Sequence, residues 1–266
     1  MRDHRSARAV ALLLAACLSV AACSAATAAP PERRTVFGST GSLGEGTVRT
    51  YTTVDRDGNP IAVGLRMSSA ALDGLPHSDV TSVLDLPGEA SATVFDHVML
   101  NWNPHGHGPS TLFDRPHVDV HFYMTDTAAV EAIDPASPDF WARATHLPEA
   151  KYIPSDYVTP PGPLAVLMAA PFMGVHWMDA TAGMIPGVYD FTQTFLNGTW
   201  DGDYTFMEPM FTRAWLLTEP TLREHVKQPQ AYQHTAWYPT VYAVRFDYAT
   251  QEFDIALEGM VFRQQS

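Results

Sequence analysis

The chain has 266 residues, with 16 basic side chains against 29 acidic ones and a formal net charge of −13. That balance argues against nucleic acid as a ligand, because phosphate backbones are held by clustered Lys and Arg, whereas metal cations stay compatible with it. Hydrophobic residues at 46% and aromatics at 11% describe a globular body long enough to bury a core.

Arg2, Arg5 and Arg8 precede a 14-residue apolar run, AVALLLAACLSVAA, from Ala9 to Ala22. A membrane span needs roughly 20 residues, so the run reads as the h-region of a signal peptide. VAAC ending at Cys23 has the form of a lipobox, in which the cysteine is lipidated and becomes the new N-terminus. The other exits are a small-x-small cleavage at Ala26–Ala28 and an LAAC ending at Cys17, which leaves a very short h-region. The expected organisation is a signal peptide over residues 1–23, a tether over 24–34 and one domain over 35–266. The protein would be exported and held to the outer face of the cell membrane by the lipid on Cys23 alone, or otherwise secreted. Past Cys23 there are 13 basic and 28 acidic residues and no cysteine, so the body stands on its core without an internal disulfide.

Along the chain, GTVRTYTTVDRDGNPIAVGLRMS (46–68) reads as a hairpin around DRDGNP. TVFDHVMLNW (93–102) and PHVDVHFYM (116–124) are strand-like. Two short helices follow, DTAAVEAIDPAS (126–137) with an Asp cap and SPDFWARAT (137–145) with a Ser-Pro start. A Pro-rich linker leads to LAVLMAAPFMGVHWMD (164–179), read as a buried helical turn and then a strand. Residues 189–217 read as a hairpin with a Gly-containing turn, for which the Asn197-Gly198-Thr199 stretch is a candidate, and 240–263 as another hairpin. The expected fold class is mainly β, α+β at most: a β-barrel or sandwich-like single domain with short helical decorations.

NPHGHGPSTLFDRPHVDVHFY (103–123) holds four of the 11 histidines. In the strand part, Val118, Val120 and Phe122 share one face, and His117, Asp119, His121 and Tyr123 share the other. On a strand, i and i+2 side chains are about 6–7 Å apart and i and i+4 about 13 Å. Asp119 can therefore share an ion with His117 or with His121, but His117 and His121 cannot share one without a bulge or tight bend. His105 and His107 lie in a Gly/Pro-rich turn that can fold two imidazoles toward that strand. His176 sits in an apolar and aromatic stretch, and Glu208 is flanked by Phe206, Met207, Met210 and Phe211. A carboxylate there must be paired, protonated or bound to a cation. The expected ligands are His105, His107, His117, His121, His176 and Glu208. Zinc is the first choice of ion, with manganese or iron as alternatives. Glu208 and Asp119 are the candidate proton carriers if the centre is catalytic. No Gly-x-Ser-x-Gly elbow occurs, and the Gly-rich stretch 38–46 has no Gly-Lys-Ser/Thr.

With these motifs in view, the chain resembles an uncharacterised bacterial family typified by a Thermus protein under sigma-E and anti-sigma control. The stretches that carry the resemblance are NWNPHGHGPSTLFDRPHVDVHFYM, MGVHWMD, FTQTFLNGTWDGDYTFMEPMFTRAWL and YPTVYAVRFD. It implies an exported β-rich protein and a homo-oligomer, and it names no reaction. The resulting expectation is an exported protein of unassigned activity with one divalent-metal centre and a small molecule or metal ion as its partner; whether the centre is that of a metal-dependent enzyme is left open by the residues. The alternatives are a non-catalytic envelope-stress or metal-binding protein with the same ligands, or a structural histidine network without metal.

Overall fold

The computed structural model describes residues 32–266; the expected signal peptide, Cys17, Cys23 and the tether as far as Pro31 lie outside the described residues. The first strands are β1 (Arg33–Leu43), β2 (Gly46–Asp55), β3 (Pro60–Ser68), β4 (Val80–Asp85), β5 (His97–Asn103) and β6 (His117–Tyr123). Short helices α1 (Thr127–Glu131) and α2 (Phe140–Thr145) come next. They are followed by β7 (Tyr157–Val158), β8 (Ala169–Ala170), β9 (Gly174–Asp179), β10 (Gln193–Trp200) and β11 (Asp203–Thr212). Helix α3 (Arg213–Leu216) then leads to β12 (Leu222–His225), β13 (Ala236–Tyr238), β14 (Val241–Asp247), β15 (Glu252–Glu258) and β16 (Val261–Arg263).

These strands form a six-stranded sheet in the order β1-β2-β3-β15-β14-β12, and an eight-stranded sheet in the order β4-β5-β6-β11-β10-β9-β7, in which β8 pairs with β9. A two-stranded ribbon, β13-β16, completes the set. Neither large sheet closes on itself, so of the two expected architectures the sandwich-like one is present and the barrel is not. The strand pairs are antiparallel, and most follow the turn chemistry of the sequence. At the β2–β3 hairpin the Asp55 carboxylate accepts the backbone N–H groups of Asp57 and Asn59, and Gly58 takes φ +85°. At α1, Asp126 accepts from Ala129 N–H as an N-cap.

The main core lies between the two sheets. Val63, Leu65 and Met67 of β3, Val244 of β14 and Ile255 and Leu257 of β15 meet Val98 and Leu100 of β5 and Val118, Val120 and Phe122 of β6. The apolar half of the β6 alternation is thus used as an ordinary sandwich core. All seven residues of β6 are nonetheless buried. Its opposite face is covered by α1 and the loops around 104–116, 168–173 and 184–191, which bring smaller clusters such as Phe113–Phe191–Met210 and Met99–Tyr123–Val130–Phe206. The four polar side chains of β6 therefore lie inside the molecule.

Two local expectations are corrected. The turn of the β10–β11 hairpin is Asp201–Gly202, with φ +52° and +86°, the paired positive φ values of a type I′ turn. Asn197 instead lies within β10, buried, where its Oδ1 accepts from the Tyr204 hydroxyl at 2.6 Å. The helical turn Gly162–Met168 buries Ala165, yet Leu164 and Leu167 are exposed.

Gly198 pairs with Phe206 across β10–β11 and with His176 across β10–β9. A Cβ at 198 would overlap the Phe206 ring, which lies across the glycine. Gly198→Ala is therefore expected to lower stability by about 1–3 kcal/mol through overpacking. Guanidinium unfolding of parent and variant measures this, and an unchanged midpoint would contradict the packing described.

Candidate metal centre

The polar face of β6 is assembled by register. Across β5, Asn103 opposes His117, Asn101 opposes Asp119, Met99 opposes His121 and His97 opposes Tyr123. On the other side, β11 pairs Met207 with Phe122 and Met210 with Asp119, which sets Glu208 beside His121. His176 arrives from β9, three strands beyond β6, and the space over Gly198 lets its ring approach Glu208. His107 comes from the loop after β5, which turns back through a backbone bridge between His107 and Phe113. Gly106 makes that turn at φ +67°, where a Cβ would collide with the Phe113–Asp114 backbone.

The result is two groups of three residues, each with ligand atoms all within 4.8 Å of one another: His107, His117 and Asp119, and His121, His176 and Glu208. Each is a two-histidine, one-carboxylate set, which suits zinc as well as iron or manganese and leaves a coordination position open. Each can hold a metal ion. Bonds of 2.0–2.2 Å to a tetrahedral ion place ligand atoms about 3.3–3.6 Å apart. The observed separations run close to that.

In the first group, His117 Nε2 is 3.0 Å from Asp119 Oδ1 and His107 Nε2 is 3.1 Å from Asp119 Oδ2. The Nδ1 of His117 lies 2.6 Å from the Arg115 carbonyl, and that of His107 lies 2.7 Å from the Gly108 carbonyl. A carbonyl only accepts, so both Nδ1 atoms donate, and in the neutral tautomer each Nε2 carries a lone pair. The His107 lone pair then faces the carboxylate, acceptor against acceptor, unless a proton or a cation stands between them, whereas the His117 lone pair meets the Asn103 amide at 3.4 Å as well as Asp119. A proton on His107 serves in the same place, and the Asp119 contact that raises this imidazole favours it. Asp119 Oδ1 is buried and makes no hydrogen bond despite its closeness to His117. Asn103 Nδ2 donates to Asp119 Oδ2 at 2.6 Å and lies 3.4 Å from His117 Nε2, so this one amide orients both side chains.

In the second group, Glu208 Oε1 is 3.3 Å from His121 Nε2 and Oε2 is 3.5 Å from His176 Nε2. His176 Nδ1 donates to the Met168 carbonyl at 3.1 Å, which again turns the Nε2 lone pair inward. Glu208 Oε2 and both ring nitrogens of His121 are buried without a hydrogen bond. Aromatic rings wall the group: Phe206 lies 4.9 Å from His121 and 5.2 Å from His176, and Tyr123 stacks on His121 at 5.7 Å. Buried polar atoms in native proteins are almost always satisfied, so this cluster of orphans marks a place for a ligand.

The electrostatics differ between the groups. Burial disfavours charge on Asp119, but His117 and His107 outweigh it and hold its carboxyl well below the usual range. Burial likewise works against charge on His107, and the Asp119 contact outweighs it and raises the imidazole. In the second group burial prevails: His121 is pushed down to about 3 and His176 to about 4. Burial, helped by the nearby Asp119 charge, raises Glu208 well above an ordinary carboxyl. With no cation, burial thus favours the neutral forms of all three side chains of the second group.

Of the residues expected to act together, His107, His117, His121, His176 and Glu208 do converge on this face, with Asp119 among them, and they divide into two groups rather than one. Asp119 joins His117, while His121 turns to Glu208 on the neighbouring strand. His105 is apart from both groups: its Nε2 lies 3.1 Å from the His77 carbonyl. The sequence reading passed over Asn103 and His97. His97 is buried, stacks on Tyr123 at 4.9 Å and has an unsatisfied Nε2, with Nδ1 3.0 Å from Asp96. Its period-2 relation to Asn103 along β5 was available, but the pairing of β5 with β6 was not. A cleft of about 440 Å³ opens elsewhere, at the edges of the two sheets, lined by Tyr157, Asp179, Gln193, Glu224, Lys227 and Tyr242 among others and by no member of either group.

A pH test follows for the chelated protein. A carboxyl whose folded pKa is raised binds more protons than its unfolded counterpart, so stability falls as pH rises from the unfolded carboxyl value toward the folded one. The two histidines act oppositely, but only below about 6.5, where their unfolded forms become charged. Above neutrality the raised Glu208 acts in the same direction as His107, whose imidazole is also raised and so gives up stability as pH rises past about 6.5. Between pH 7 and 8 the metal-free parent is expected to lose stability, and Glu208→Gln to make that loss shallower. Equal slopes in denaturant titrations of the two proteins would contradict the raised Glu208 carboxyl.

Among known proteins, a family profile described as TTHB210-like, hypothetical protein TTHB210, matches residues 55–102. No curated protein and no solved structure matches the chain. The match supports likeness to an uncharacterised family from the end of β2 through most of β5, and the segments bearing His107, His117, His121, His176 and Glu208 lie beyond it.

Proposed function

We propose that this is an exported divalent-metal-binding protein whose ions are held on the covered face of the eight-stranded sheet, with zinc as the best-suited ion. The observation that carries the reading is the orientation of the imidazoles: three histidines have Nδ1 tied to a backbone carbonyl and Nε2 directed at a buried carboxylate. Metal-ligating histidines are oriented in this way by their outer hydrogen bonds. The burial of His117, Asp119, His121 and Glu208 favours an ion retained by the protein over one that handles a bulky substrate. Chemistry, if any, is then confined to water or a small molecule, with Asp119 or Glu208 as the proton carrier. Export rests on the Arg-flanked apolar run and on Cys23 as its lipidation point, and a role in envelope stress rests on the resemblance to a sigma-E-regulated protein. Homo-oligomer formation rests on the same resemblance.

Elemental analysis of the protein lacking residues 1–23 and any histidine tag, beside a His117→Ala/His121→Ala variant, tests the reading. Near-stoichiometric metal in the parent and little in the variant is the expected result. A folded parent without metal after incubation with zinc, manganese and iron would leave the histidines as a polar network. Because metal that binds only the folded state adds to stability, chelation should also lower the unfolding free energy, by about 2.7 kcal/mol for each ion present at 100 times its Kd.

A further inference from the structure

We infer that the two groups have unequal roles: the ion held by His121, His176 and Glu208 is locked into the fold, while the ion held by His107, His117 and Asp119 exchanges with solvent and accepts a small external ligand. This rests on the metal-binding reading above and adds a division of labour to it.

The asymmetry is one of access and of scaffold. The His107 side chain is 38% exposed, whereas that of His176, the least buried member of the second group, is 13% exposed. Every ligand of the second group is on a strand: His121 on β6, Glu208 on β11 and His176 on β9. To free that ion, β9 must part from β10 or the cover of Val130, Met173 and Phe206 must lift, and both are core contacts. In the first group, His117 and Asp119 are equally fixed on β6, but His107 belongs to a loop that is tied down by the bridge to Phe113 and by the hydrogen bond of its own ring to Gly108. Swinging only the His105–His107 turn breaks the bridge to Phe113 and the ring contact beside it, while Leu112 and Phe113 stay in their cluster and no sheet interface opens. Local openings of that kind lie at the low end of the range that folded proteins show.

Coordination chemistry gives the second half of the inference. Three protein ligands leave a tetrahedral ion one position short, and in catalytic sites water or substrate fills it. In the first group that position is reached along the exposed side of His107. In the second it is enclosed by the rings of Phe206 and Tyr123, so an ion there binds no solute from solution. The first group is thus the one at which water or an anion can be polarised.

The test uses the mature protein loaded with Co²⁺, whose visible bands report its ligands. Addition of EDTA is expected to remove the metal in two phases of one equivalent each, the faster by roughly 100-fold because it needs only a loop opening. His107→Ala should abolish the fast phase and leave the slow one in place. Azide should shift the visible bands of the parent and leave those of His107→Ala unchanged. His105→Ala, outside both groups, should behave like the parent. A single phase for both equivalents, a fast phase that survives His107→Ala, or an azide shift in that variant would overturn the division of roles. If the parent takes up no cobalt at all, the metal-binding reading itself fails.

Discussion

The structure turns on one electrostatic constraint: two carboxylates and four imidazoles are packed against one another on the covered face of a sheet. Strand β6 is buried on both faces, so His117, Asp119 and His121 have no recourse to solvent. A buried charge without a counter-charge costs several kcal/mol, and an unsatisfied neutral polar atom roughly 1–3 kcal/mol. Asp119 Oδ1, Glu208 Oε2 and the ring nitrogens of His121 all stand in that position. A proton on His107 and a neutral acid at Glu208 resolve part of the conflict. One divalent cation per group resolves it with the side chains as they lie.

The rest of the molecule serves to hold that face in register. The apolar side of β6 is clamped in the inter-sheet core by Val118, Val120 and Phe122. A one-residue slip would exchange the two faces and place the imidazoles in that core. The same sandwich packing therefore fixes the ligand positions to within the tolerance of a close-packed interior. Gly198 supplies the space in which Phe206 and His176 come together, and Gly106 lets the loop after β5 return His107 to the strand. Neither glycine touches a ligand atom of Asp119 or Glu208, yet both set where the imidazoles end.

Much of this was legible in the sequence because its signals are local. The alternation of PHVDVHFY separates the ligand face from the core face, the DRDGNP turn marks the first hairpin, and the acidic residue among Phe206, Met207 and Phe211 announces a buried carboxylate. The i, i+2 spacing anticipated that His117 and Asp119 share a site. It could not decide between His117 and His121 as the partner of Asp119, because that choice is made by β11, whose register brings Glu208 beside His121. Asn103 and His97 were missed for the same reason: their importance comes from the β5–β6 pairing, which is non-local. His105 and His107 look alike in sequence, but a strand-like bridge at His107 turns one ring inward, while the other meets the His77 carbonyl. The misplaced hairpin turn has a plainer cause, since Asn197-Gly198 and Asp201-Gly202 are both good turn dipeptides and the strand length selects the second.

Burial, donor identity and ring orientation together support the proposed metal-binding role. The measurement that tests this most directly is anomalous X-ray diffraction at the zinc edge from crystals of the zinc-loaded protein. The account predicts two anomalous peaks, one among His107, His117 and Asp119 and the other among His121, His176 and Glu208, each within about 2.0–2.2 Å of the Nε2 and carboxylate oxygen atoms. Fully loaded crystals with no peak at either group, or with density only at His105 and the surface carboxylates, would contradict it.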